Sequence, residues 1–162
     1  MPISIRFTSL VIAGFTVVLI SCGSEPKQTV STESPKAEAP KPADESAYLP
    51  KTNLVRTEVV PKELLGKAFM PGGTLGHYKK SKSEYEIFIA RLPAALDAAI
   101  LLPDWSKALS GAKLVPSFGG YFGEDAGRPV FVFSKTVWIA GIVGLPEKQA
   151  DMEARTLAAQ LK

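Results

Sequence analysis

A single cysteine and a single histidine occur in this chain of 162 residues, and both scarcities exclude chemistry. With Cys22 alone no intrachain disulfide can form, so an exported domain of this size has to be held by its apolar core. One thiol and one imidazole, His77, cannot supply the Cys and His set of a structural zinc site, and they leave little for a nucleophile, histidine and acid triad. An excess of charge of one sign is also missing. Lys and Arg number 19 against 16 Asp and Glu, and no stretch is dense enough in cations for a nucleic-acid footprint. No metal, cofactor or nucleic-acid partner is expected, and no catalytic residue is assigned. Long apolar runs are absent too, with one exception at the N-terminus.

That exception is Phe7 to Ser21, about fifteen residues without a charge, preceded by Arg6. It has the length of a secretory signal's apolar region and falls short of the roughly 20 residues of a membrane span. The run closes on Leu19-Ile20-Ser21-Cys22. Small residues suit a peptidase that grips an extended backbone at the membrane surface, and a thiol is the nucleophile that accepts a diacylglyceryl group. The four residues resemble the lipobox of bacterial lipoproteins. The resemblance implies a lipoprotein signal peptide over 1–21, cleavage before Cys22, and lipid on that cysteine, palmitate among the acyl groups. One acyl chain holds a protein to a bilayer marginally, whereas two or three hold it effectively permanently. The mature protein is thus expected on a bacterial membrane with its domain outside the cytoplasm. Gly23 and Ser24, with no Asp after the cysteine, resemble the pattern that sends Gram-negative lipoproteins to the inner leaflet of the outer membrane. The alternative is an uncleaved anchor, which wants nearer 20 apolar residues.

Residues 22–47 read as the lipidated cysteine and a disordered tether. Pro26, Pro35, Pro40 and Pro42 alternate with Lys, Glu, Ser and Ala, and such a segment buries too little apolar surface to offset the entropy of ordering it. As a flexible coil its ends average about 25 to 30 Å apart, and stretched it approaches about 80 Å. It is either a plain spacer or a means of reaching a partner.

Residues 48–162 then have the composition and length of one domain. Leu54 to Val60 offers a short extended lead-in, and Pro71-Gly72-Gly73 marks a turn before a strand over Thr74 to Tyr78. Tyr85 to Leu92 alternates as a half-buried strand. Pro93 opens a helix with Leu92, Leu96, Ala99 and Ile100 on one face; Pro103 breaks or kinks it, and Asp104 caps a second short helix over Trp105 to Leu109. A strand over Lys113 to Tyr121, a polar loop over Gly123 to Gly127, and strands at Pro129 to Phe133 and Val137 to Val143 follow. Val137 to Val143 is apolar on both faces, as in a central strand covered on both sides or packed under helices. A final helix begins at Pro146 and Glu147. The order β, β, α, β, β, β, α predicts an α+β fold, a mostly antiparallel sheet with two helices packed on one face.

The succession Pro71-Gly72-Gly73-Thr74-Leu75, Gly119-Gly120-Tyr121-Phe122-Gly123, Pro129-Val130-Phe131-Val132-Phe133 and Trp138 to Leu145 resembles a family of exported bacterial domains of unknown function. The resemblance implies no functional residue. Gly72, Gly73 and Gly76, followed by His77, Lys79 and Lys80, suggest either an anion cradle or turn and bulge glycines. Glu124 and Asp125 suggest either a calcium site or a solvated hairpin loop. Tyr121 and Phe122 beside that loop, with Trp105, form the candidate binding rim, with core packing as the alternative. The leading expectation is a lipid-anchored, non-enzymatic binding or interaction module of the cell envelope, with the membrane and an envelope protein as partners. The alternatives are a small hydrolase or transferase using His77 with Glu84, Glu86 or Asp125, and a structural subunit that pairs an edge strand.

Overall fold

The structure, a computed structural model, describes residues 43–162. The segment read as a signal peptide (1–21), Cys22 as the expected lipidation site, and the part of the expected tether as far as Pro42 lie outside the described residues. Seven strands and two helices follow one another as β1 (Leu54–Lys62), β2 (Pro71–Lys80), β3 (Ser83–Arg91), α1 (Ala95–Ala108), β4 (Ser110–Val115), β5 (Gly120–Asp125), β6 (Arg128–Lys135), β7 (Trp138–Val143) and α2 (Glu147–Gln160). All strands join one sheet in the order β1-β2-β3-β7-β6-β5-β4, and every neighbouring pair is antiparallel. Two meanders thus meet where β7 pairs with β3 at the centre.

The antiparallel α+β class is as the sequence suggests, but the helices take opposite faces. Phe131 and Phe133 of β6 share a cluster with Ile87, Ile89 and Ala140 and with Ala150, Ala154 and Leu157 of α2. Their neighbours Val130 and Val132 share the other cluster with Phe88, Ile139 and Leu102 and Trp105 of α1. Side chains alternate along a strand, so these are the two sides of one sheet. The reason lies in β7, whose six residues are all buried: a strand apolar on both faces needs a cover on each, and one helix supplies each cover.

Several local expectations are corrected. Pro71, Gly72 and Gly73 begin β2 rather than forming a turn, and the lead-in at Leu54 is a full edge strand. Lys113 to Tyr121 divides into β4 and β5. Helix α1 runs unbroken through Pro103, whose ring sits on the exposed side while Leu102 and Trp105 hold the helix from beneath. Its first turn is capped by the Asp97 carboxylate, which accepts a hydrogen bond from the Ala94 N–H at 3.1 Å. The face carrying Leu96, Ala99 and Ile100 points outward; Ala98, Leu102 and Trp105 point to the sheet.

The polar loop before β6 shrinks to Ala126 and Gly127, both at positive φ (49° and 78°), since Asp125 pairs directly with Arg128. Two consecutive positive φ values are the signature of a two-residue turn that favours Asn-Gly. Ala126→Asn should therefore stabilise the domain by about 0.5 to 1 kcal/mol, read as a higher urea midpoint with unchanged slope.

Candidate functional site

Along the β2–β3 ladder the side chains on the α1 side change character in steps. The pair Leu75 and Phe88 is apolar and lies in the core, the next pair is His77 and Glu86, and the next is Lys79 and Glu84. On β1 the same side carries Glu58, opposite Leu75, and Arg56, opposite His77. Arg128, at the start of β6, reaches back to Glu86. The sheet thus passes from a covered apolar floor to an open charged one within two residue pairs.

The open part is a depression of about 520 Å³ lined by Val55, Arg56, His77, Glu84, Glu86 and Arg128 among others. The Glu86 carboxylate is its hub. One oxygen lies 3.3 Å from His77 Nδ1, and the other accepts a hydrogen bond from the Arg128 guanidinium at 2.8 Å. Glu58 approaches the opposite ring nitrogen, Nε2, at 3.5 Å and also accepts from Arg56 at 3.4 Å. The Nε2 atom is buried and makes no hydrogen bond among the described residues. Lys79 donates to Glu84 at 2.9 Å and holds that carboxyl below the ordinary carboxylate range. Three cations and three carboxylates balance across the trough, with the imidazole between two acids.

Of the acids considered as partners for His77, Glu86 is brought to it. Glu84 pairs with Lys79, and Asp125 is claimed by Lys67 at 2.7 Å. The binding rim is not assembled. Trp105 is 0% exposed, with its indole N–H aimed at Met70 Sδ at 3.2 Å. Tyr121 packs against the α1-side core and Phe122 against the α2-side core, because consecutive strand residues face opposite ways. For the same reason Glu124 and Asp125 diverge and cannot share one cation, and among the described residues no three His, Cys, Asp or Glu converge on a metal position. Gly72, Gly73 and Gly76 lie inside β2, Gly73 and Gly76 opposite Val60 and Thr57 of β1 and Gly76 also opposite Ile87 of β3, so they are strand glycines rather than a loop that could cradle an anion. Arg56, Glu58 and Arg128 are the site residues that sequence reasoning missed. The alternation Arg56, Glu58, Val60 would have revealed two of them, had the segment been read as a strand.

On the opposite face Tyr78 and Tyr85 stack at 5.0 Å. The Tyr78 hydroxyl donates to the Pro50 carbonyl, whereas the Tyr85 hydroxyl is buried without a partner among the described residues. Burial, reinforced by the negative charge of Glu153, pushes the Tyr85 phenol up to about 12. A folded pKa above the unfolded value means stability that is intact below about pH 10 and is lost as pH rises toward 12. We expect the unfolding free energy to fall by about 1 kcal/mol between pH 9 and pH 11 from this group. Tyr85→Phe should remove that part of the alkaline loss without destabilising the domain at pH 7, and urea titrations at the three pH values check it.

No family model matches the chain, and neither a curated protein nor a solved structure is significantly similar to it.

Proposed function

We propose that this protein is a lipid-anchored, non-enzymatic binding module of the bacterial cell envelope, with the trough around His77 as its binding site. The anchor is Cys22, the chain's only thiol, at the end of the apolar run, and in a Gram-negative cell the domain would face the periplasm from the outer membrane's inner leaflet. No helix among the described residues is long and apolar enough to cross a membrane.

The observation that carries the binding reading is the arrangement of the imidazole. Each ring nitrogen faces an acid of the same sheet, Nδ1 at 3.3 Å from Glu86 and Nε2 at 3.5 Å from Glu58, and Nε2 is buried. A general base needs a nitrogen facing the proton it removes. The 3.3 Å contact between Glu86 and His77 Nδ1 is what favours a hydrolase or transferase, yet among the described residues no Ser, Thr or Cys lines the trough to act as nucleophile. Fixed charges of both signs suit a partner that presents both signs in return, such as a polar segment of an envelope protein.

Two measurements test this. Full-length protein made in bacteria fed an alkyne fatty acid should carry the label and fractionate with membranes; an unlabelled protein would sink the anchor. A photo-crosslinking residue at Val55, exposed at the trough's edge, should capture a partner in intact cells, and Arg56→Glu with Arg128→Glu should abolish that capture. Recovery of the uncrosslinked protein alone would count against the binding site. Full activity loss on His77→Ala in a hydrolytic assay, with the fold intact, would favour the enzyme instead.

A further inference from the structure

Strand β1 closes one edge of the sheet and meets no further strand among the described residues. It is nine residues long, and its stretch from Val55 to Glu58 is exposed. A bare edge of that length is a template for another strand, which takes affinity from main-chain hydrogen bonds and its choice of partner from the side chains. The helices leave this edge clear, because α1 packs over β4 to β7 and α2 over β6 and β7. The opposite edge, β4, is shorter and carries one charged residue, Lys113, which Glu147 already holds.

What β1 offers a partner is a self-complementary text, Leu54-Val55-Arg56-Thr57-Glu58-Val59-Val60. When two copies of one strand pair antiparallel, residues opposite each other point to the same side of the sheet, so the twofold axis has to fall on a residue that faces itself. Three registers share seven or more of the nine residues, with the axis at Thr57, Glu58 or Val59. The second sets Glu58 against Glu58 and the third sets Arg56 against Lys62, and like charges directly opposite are destabilising. Both also bring Pro61, which has no N–H to give, inside the shared ladder. The first sets each Arg56 against Glu58 of the other copy and Val55, 65% exposed, against Val59, and it leaves Pro61 beyond the paired stretch. The bulge between Leu54 and Arg56 then falls toward the two ends of the ladder and spares its charged centre.

We infer that β1 pairs antiparallel with β1 of a second copy of this chain, with Thr57 on the twofold axis and Arg56 opposite Glu58 on both sides of it. The pairing joins two seven-stranded sheets into one and does not depend on what the trough binds. It does extend the trough. The axis runs normal to the sheet, so the troughs of the two copies open on the same side and adjoin across the interface. Glu58, 3.5 Å from His77 Nε2 and 3.4 Å from its own Arg56, gains Arg56 of the second copy as a further cation. Exposed charges ordinarily keep an edge from pairing; here they reject the wrong registers and admit one.

The test uses the full-length chain with Thr57→Cys, which sets two thiols opposite each other at the axis; the parent chain run beside it shows whatever Cys22 contributes. Mild oxidation of intact cells should give a species of twice the mass that contains both of two differently tagged, co-expressed copies. In that background Arg56→Glu sets Glu against Glu at both pairs, and Glu58→Arg sets Arg against Arg. Both side chains are exposed, so circular dichroism should show the fold intact, while the crosslinked fraction falls roughly tenfold or more. The two reversals together restore both pairs and should restore the crosslink. Single reversals that leave the crosslink undiminished, or a double reversal no better than either single one, overturn the register and with it the inference. No doubled species beyond that of the parent, or a crosslink to a different protein, overturns the self-pairing. Sedimentation of the parent chain in mild detergent asks the same question without substitution: a mass that stays at one chain as concentration rises overturns the pairing, and a rise toward two supports it.

Discussion

Trp105→Ala is expected to cost about 3 to 5 kcal/mol, a large part of the roughly 5 to 15 kcal/mol that holds a domain of this size. The indole is fully buried between α1 and the sheet, stacked on Phe88 at 5.6 Å and met edge-on by Phe69 at 5.5 Å. Its N–H points at Met70 Sδ, and the Lys67 ammonium lies 6.0 Å from the ring centre. Alanine would leave a cavity in a layer that one helix covers, and its neighbours Phe88 and Met70 are pinned by the sheet and by the loop before β2. Trp105→Phe keeps the stacking and most of the volume, so about 1 to 2 kcal/mol is expected there. Urea unfolding followed by circular dichroism separates the two. A surface residue would lose less than about 0.5 kcal/mol on either change, and that result would remove Trp105 from the core.

Trp105 is hard to place from sequence for a physical reason. Ala98, Leu102, Trp105 and Leu109 stand at helical spacing, and all four are buried. Pro103 interrupts the text between them and invites a break, but a proline on the outward side of a helix removes one hydrogen bond without disturbing the inward stripe. A second apolar stripe, Leu96, Ala99 and Ile100, competes for the core assignment, and periodicity alone cannot say which of two apolar faces points in. The strand pattern is clearer. Tyr85 to Leu92 and Val137 to Val143 are legible as strands because alternation and β-branched content agree there, and they form the sheet's centre. That Val137 to Val143 is apolar on both faces already implies a cover on each, which conflicts with two helices on one side. Edge strand β1 is obscured by Pro61 and by its exposed charged residues, features by which edges resist unwanted pairing.

The trough is half legible for the same reason. His77 and Glu86 stand on strands that alternation identifies, but their contact depends on the register of one hairpin, in which residue 77 faces residue 86. A slip of one residue would turn one of the two to the other face. Arg128 could be found by neither period nor motif, since it reaches Glu86 from β6, with β7 between the two strands.

Gly141→Ala should be nearly as damaging as Trp105→Ala, and in the opposite sense to what propensity suggests. Alanine in a strand interior is ordinarily better than glycine by about 0.5 to 1 kcal/mol. Gly141 sits in β7 between β3 and β6, on the side that faces α1. A Cβ added there would lie 2.3 Å from the Phe131 carbonyl oxygen and 2.6 Å from the Phe88 ring. The ring occupies the space a side chain would need, and it is the same ring on which Trp105 stacks. Relief by moving Phe88 disturbs the α1 layer, and relief by moving β6 breaks a ladder at the centre of the sheet. The expected cost is about 3 kcal/mol, at the upper end of what overpacking does. Gly111→Ala is the control, because its added Cβ meets nothing within 4 Å and its positive φ of 62° alone is at issue, for a cost of about 1 kcal/mol. If the ring is the main obstacle, Phe88→Leu in the Gly141→Ala background should restore part of the lost stability even though it destabilises the parent. If the Phe131 carbonyl is the obstacle, the two losses should add. Urea midpoints of the four proteins decide between these, since a positive coupling appears in the first case and none in the second.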